Sequence, residues 1–151
     1  MAPAVAWSVL RAYLILGFAL EMHTFVRLYY TSMPLRDLAP SLPDAGLDAI
    51  PIFRRLFGTY CVTLGVLRLL AAIDVRNRLY LSVLAVTHTI EALFSISEVL
   101  VYQATPLTAL LTDIAHAPTT AFLGVLVAQM SFLAYMAAAP SPPAKNAKKL
   151  N

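Results

Sequence analysis

Residues 79–102 read LYLSVLAVTHTIEALFSISEVLVY. The stretch is long and apolar enough to cross a bilayer as a helix, which takes about 20 residues. It carries His88, Glu91, Ser95, Glu98 and Tyr102. They recur in steps of three and four, which places all five on one helical stripe. The opposite face is Leu and Val. Ionisable groups at membrane depth are costly and face protein rather than lipid. A spanning helix with one polar seam needs neighbours, so the fold class is an all-α, integral membrane four-helix bundle.

The neighbours are found on either side. One span runs from about Val5 to Phe25 and carries Arg11, Glu21 and His23. Another runs from about Leu56 to Ile73 with Arg68 inside it, and the last, from about Thr119 to Ala139, has no charge at all. The membrane domain is therefore 1–139, with spans at about 5–25, 56–73, 79–102 and 119–139. Between the first two lies a long loop, Leu28 to Pro51, in which Pro34, Pro40, Pro43 and Pro51 break any helix. Asp74 to Arg78 is a tight turn. Gln103 to Pro118 is longer, and Leu107–Ala115 within it suits a short interfacial helix. From Pro140 to Asn151 the chain is a Pro- and Lys-rich polar tail, expected to be extended.

Composition agrees. The 151 residues are 60% apolar and only 13% charged, and mean hydropathy is +0.73. Soluble domains are about 45–50% apolar and about 25% charged, so a soluble enzyme is excluded, as is a disordered chain. Cys61 is the single cysteine, which rules out a disulfide framework and a cysteine zinc site. The net charge of +3 comes from scattered bases, three of them (Lys145, Lys148, Lys149) near the end. No basic face interleaved with aromatics is present, so no nucleic-acid partner is expected. No Lys or Arg precedes Arg11, so the first span reads as retained rather than as a cleaved signal peptide.

Orientation is weakly encoded. Arg76, Arg78, Lys145, Lys148 and Lys149 fall on one side, and Arg27, Arg36, Arg54 and Arg55 on the other. Lys148 and Lys149 stand fourth and third from the end, the spacing of a dilysine retrieval signal read in the cytosol. The alternative is a merely basic solubilising tail.

The second and third spans form an antiparallel hairpin about residue 76, so positions equally far from the turn share a depth. Glu98 then levels with Arg54 and Arg55, and Arg68 lies within reach of His88 and Glu91. Two clamps are expected: Arg55 with Glu98, and Arg68 with the His88–Glu91 pair. Glu21 and His23 could join this seam. Pairing lowers the cost of charge in hydrocarbon.

Two chemical readings compete. His88-x-x-Glu91 and Glu21-x-His23 could hold a metal, but di-iron bundles use Glu-x-x-His on two helices plus two further Glu. The order here is reversed and the set is short. Buried carboxylates could also relay protons or ions, but a transporter calls for broken helices or a repeat. No phosphate loop or nucleophile elbow occurs. Cys61 reads as an inert buried thiol, and His116 has no obvious partner. Gly58, Gly65, Ala71 and Ala72 would allow close helix approach. Interhelical pairing is the reading preferred, with no cofactor, metal or catalytic residue.

The series Arg55-Leu56-Phe57-Gly58-Thr59-Tyr60, then Arg68, then Ala72-Ile73-Asp74-Val75-Arg76-Asn77-Arg78-Leu79-Tyr80, then Ser97-Glu98-Val99-Leu100-Val101-Tyr102 resembles the ergosterol biosynthetic protein 28 family. The resemblance covers roughly residues 53 to 105. One departure is Phe94, where the family usually has a His four residues before the Glu that Glu98 matches. The resemblance implies a non-catalytic, four-span protein of the endoplasmic reticulum. Such proteins tether the sterol C4-demethylation enzymes: a methyl oxidase, a C3 decarboxylating dehydrogenase and a keto-reductase. The partners expected are thus integral membrane enzymes or subunits, together with lipid. The alternatives are a supernumerary subunit of a mitochondrial inner-membrane respiratory-chain complex or ATP synthase, and a small membrane enzyme or carrier using the Glu/His cluster.

Overall fold

A computed structural model describes residues 4–38, 50–102, 107–112, 114 and 117–139. The tail with Lys148 and Lys149, and His116, lie outside the described residues. The elements are α1 (Ala4–Tyr30), α2 (Leu35–Leu38), α3 (Pro51–Ile73), α4 (Arg78–Leu100), α5 (Leu107–Thr112) and α6 (Ala117–Ala138). No strand occurs among the described residues. Four helices are long and apolar enough to cross a membrane: α1, α3, α4 and the Thr120–Ala138 part of α6. At about 1.5 Å per residue, a helix of 23 residues matches a hydrocarbon core about 30 Å thick.

Local chemistry sets the ends. Pro51 opens α3 at its first turn, where a missing N–H is no loss and the fixed φ already suits a helix. At the tight turn, the Asp74 N–H closes α3 by donating to Leu70 O at 3.1 Å. Asn77 starts α4: its Oδ1 accepts from the Leu79 N–H at 3.1 Å, satisfying one of the unpaired donors of a helix start. Its amide also donates to Asp74 Oδ2 at 3.3 Å. The expected first span ends at Phe25, but α1 runs on to Tyr30. Its extra turn carries Arg27, Tyr29 and Tyr30, residue types at home in the interface between lipid and water. After Tyr30, the Arg54 guanidinium holds the chain by donating to Thr31 O at 3.2 Å and Met33 O at 3.0 Å.

The spans pack as two pairs. α1 lies antiparallel along α3, and α4 lies along α6. The first contact is close because α3 presents glycine. A methyl group at Gly65 would stand 2.6 Å from Met22 Cε, and one at Gly58 would stand 2.5 Å from the Tyr29 ring. Helices in lipid associate by such packing, since hydrocarbon supplies no hydrophobic drive between them. The two pairs share one buried core: Trp7, Leu10 and Leu14 of α1, Leu64 and Ala71 of α3, Leu81 and Leu84 of α4, and Leu133 and Met136 of α6. Arg78 ties α4 to the end of α6 by donating to Ala139 O at 3.2 Å. A smaller cluster of Leu28, Leu35 and Cys61 sits where α2 meets α1 and α3.

Candidate functional site

Glu21, Arg68, His88 and Glu91 meet where the two helix pairs face each other. α3 brings Tyr60, Leu64 and Arg68 onto one stripe, spaced by four. α4 brings His88, Glu91 and Ser95. α1 brings Glu21 and Tyr13. Arg68 is the centre, with a side chain 7% exposed. Its Nη1 lies 3.4 Å from Glu21 Oε1 on α1, and its Nη2 lies 3.3 Å from His88 Nε2 on α4. The guanidinium carbon is 6.0 Å from the centre of the Tyr13 ring, at the outer limit of a cation–π contact. Arg68 Nε and Tyr13 Oη are buried and have no hydrogen-bond partner. Gly17 makes room for the guanidinium: a methyl there would collide with Arg68 Nη1.

The donors can be assigned. A guanidinium only donates, so Arg68 donates to His88 Nε2, and that nitrogen carries a lone pair. The His88 proton therefore sits on Nδ1, which donates to Glu91 Oε2 at 2.5 Å. Tyr60 Oη donates to Glu91 Oε1, also at 2.5 Å. Glu91 thus has both carboxylate oxygens occupied, one from α3 and one from its own helix. Across the cluster, Glu21 answers Arg68 and has the Cys61 thiol beside it. Among the described residues, no group of three or more His, Cys, Asp and Glu side chains gathers as metal ligands do. Arg68 stands between Glu21 and His88 instead.

A family model, Erg28 like protein, matches residues 8–133. The chain belongs to the Erg28-like family. The match takes in all of α3, α4 and α5, most of α1 and α6, and every residue of the cluster. It is far wider than the 53–105 stretch that carried the resemblance. Membership and the four apolar helices together make this an integral membrane protein of sterol biosynthesis. Comparison with curated proteins and with solved structures finds no match.

Within this Erg28-like bundle the expected seam is shorter than its stripe. His88 (1% exposed) and Ser95 (6%) are buried, and Glu91 and Glu98 are half-buried. Tyr102 lies past the end of α4 and is exposed. The Arg68 contact to His88 forms as expected, with Glu91 held next in line through His88. The Arg55–Glu98 clamp does not form: no ion pair joins these two among the described residues. Arg55 is exposed, and its backbone carbonyl accepts from Tyr29 Oη at 3.1 Å. Equal distance from the turn fixes depth only when two helices stay side by side. Here α3 packs mainly on α1 and α4 on α6, and Arg55 is left exposed.

Glu21 joins the seam as the carboxylate facing Arg68, whereas His23 does not. His23 is exposed and accepts from Arg27 Nε at 3.2 Å on its own helix. Sequence reasoning missed Tyr60 as the second donor to Glu91 and Tyr13 as the ring beside Arg68. The signal for Tyr60 was its spacing of eight from Arg68, about two turns along one face of α3.

Proposed function

We propose that the protein is a non-catalytic scaffold of the endoplasmic reticulum membrane that holds the sterol C4-demethylation enzymes in one complex. The observation that carries this is the family match over residues 8–133. The cluster supports it. Glu21, Tyr60, Arg68, His88 and Glu91 engage one another across three helices, which is how charge is used to fix a bundle. Large apolar side chains on α3, α4 and α6, among them Leu56, Ile90, Leu93 and Val125, face outward and offer surface to lipid and to spans of partner enzymes.

The test is capture of the tagged full-length protein in mild detergent from separated reticulum and mitochondrial membranes. The expected result is a methyl oxidase, a C3 decarboxylating dehydrogenase and a keto-reductase recovered from the reticulum fraction. Recovery of respiratory-chain or ATP-synthase subunits from mitochondria would overturn it.

A further inference from the structure

We infer that His88 is a proton-operated clasp between the two helix pairs. The inference rests on which nitrogen accepts. As folded, neutral His88 takes a hydrogen bond from Arg68 at Nε2 and gives one to Glu91 from Nδ1. It thereby joins α3, and through Arg68 also α1, to α4. Protonation places a hydrogen on Nε2. That nitrogen can then no longer accept, and it would face the Nη2 of a permanent cation at 3.3 Å. Two like charges this close in a poorly polarisable interior repel strongly.

The surroundings give both cations somewhere to go. Arg68 keeps Glu21, an ion pair wholly within the α1–α3 pair. Protonated His88 keeps Glu91, an ion pair wholly within α4. Within the cluster, among the described residues, the polar link between helix pairs then falls to the Tyr60–Glu91 hydrogen bond. His88 meets Arg68 from α3 and Glu91 from α4 directly and feels Glu21 from α1; Tyr13, Tyr60 and Cys61 stand against those partners. α6 carries no Asp, Glu, Lys, Arg or His. With both carboxylates ionised and His88 neutral, the cluster carries one excess negative charge. One added proton brings it to zero, so a second cation at this depth has a counter-charge waiting. The pairs are accordingly clasped when His88 is neutral and loosened when it is protonated.

The chain carries its own reporter. Trp7 is the one tryptophan, is 6% exposed, and belongs to the same buried cluster as Leu133 and Met136 of α6. The experiment uses the full-length protein in lipid nanodiscs, with 15N-histidine NMR and Trp7 emission followed from about pH 8 down to about pH 5. At the upper end His88 should show a protonated Nδ1 and a bare Nε2. On acidification both nitrogens should be protonated, and Trp7 emission should move to longer wavelength over the same interval. A glutamine side chain accepts from Arg68 at any pH, so His88→Gln should abolish the Trp7 shift, while His23→Gln should keep it. A proton on Nε2 at the upper end, or an undiminished Trp7 shift in His88→Gln, would overturn the inference. Should His88→Gln fail to fold, the wild-type nitrogen signals decide alone.

Discussion

Arg68 and Glu21 form an ion pair at 3.4 Å between α3 and α1, with side chains 7% and 17% exposed. A pair so placed is a poor source of net stability, yet breaking it is expensive, because one charge is left without its partner in a medium that solvates it badly. Arg68→Leu should therefore destabilise the detergent-solubilised protein by about 3–5 kcal/mol. Removing Glu21 as well, in Arg68→Leu/Glu21→Leu, should recover a large part of that loss. Thermal unfolding of the wild type, the two single variants and the double variant measures it. A double variant no better than the sum of the singles would mean the pair is not coupled.

The two half-buried tyrosines of the cluster should behave in opposite ways. Tyr60 Oη donates to Glu91, and a hydrogen bond to a charged acceptor is worth about 1.5–3 kcal/mol. Tyr60→Phe should cost that much. Tyr13 Oη has no hydrogen-bond partner, so Tyr13→Phe removes an unsatisfied polar atom and keeps the ring beside Arg68. It should be neutral or slightly stabilising, read by the same unfolding measurement.

Glycine at the α1–α3 contact should be irreplaceable, and glycine elsewhere should not. A methyl at Gly17 would collide with the Arg68 side chain, with Cδ at 2.9 Å, and Glu21 and His88 hold that side chain in place. Gly17→Ala should destabilise by about 1–3 kcal/mol, as overpacking does. Nothing lies within 4 Å of the corresponding position at Gly124 on α6. Gly124→Ala should stabilise by up to about 1 kcal/mol, the helix-propensity difference between the two residues.

Arg55 and Glu98 should be energetically independent. They share no ion pair among the described residues, so Arg55→Leu and Glu98→Leu should add within about 0.5 kcal/mol. A coupling well above that would restore the clamp expected from sequence.

The sequence made the four helices, the polar stripe on α4 and the Arg68–His88 contact legible, because helix length and a spacing of three and four are properties of one segment at a time. Partner choice is a property of two. Gly58 and Gly65 marked a helix that accepts a close neighbour, but nothing in their spacing said that α1 is that neighbour. Depth arithmetic placed Arg55 level with Glu98, yet depth says nothing of direction around the bundle axis. Once α1 covers α3, Arg68 meets Glu21 and Arg55 is left on the outside. Tyr60 was passed over because a hydroxyl within an apolar run looks like packing until Glu91 is placed opposite.

On the proposed function, these intramembrane charges serve the fold and the outer surface binds partners. The most direct measurement is the amount of sterol C4-demethylation enzyme captured per mole of folded scaffold, for wild type, Arg68→Leu and Arg68→Leu/Glu21→Leu. The predicted result is a low scaffold level for Arg68→Leu, and, for the double variant, capture per folded molecule close to wild type. A double variant that folds as stably as wild type but captures no enzyme would contradict the account, because the side chains themselves would then be the site of recognition.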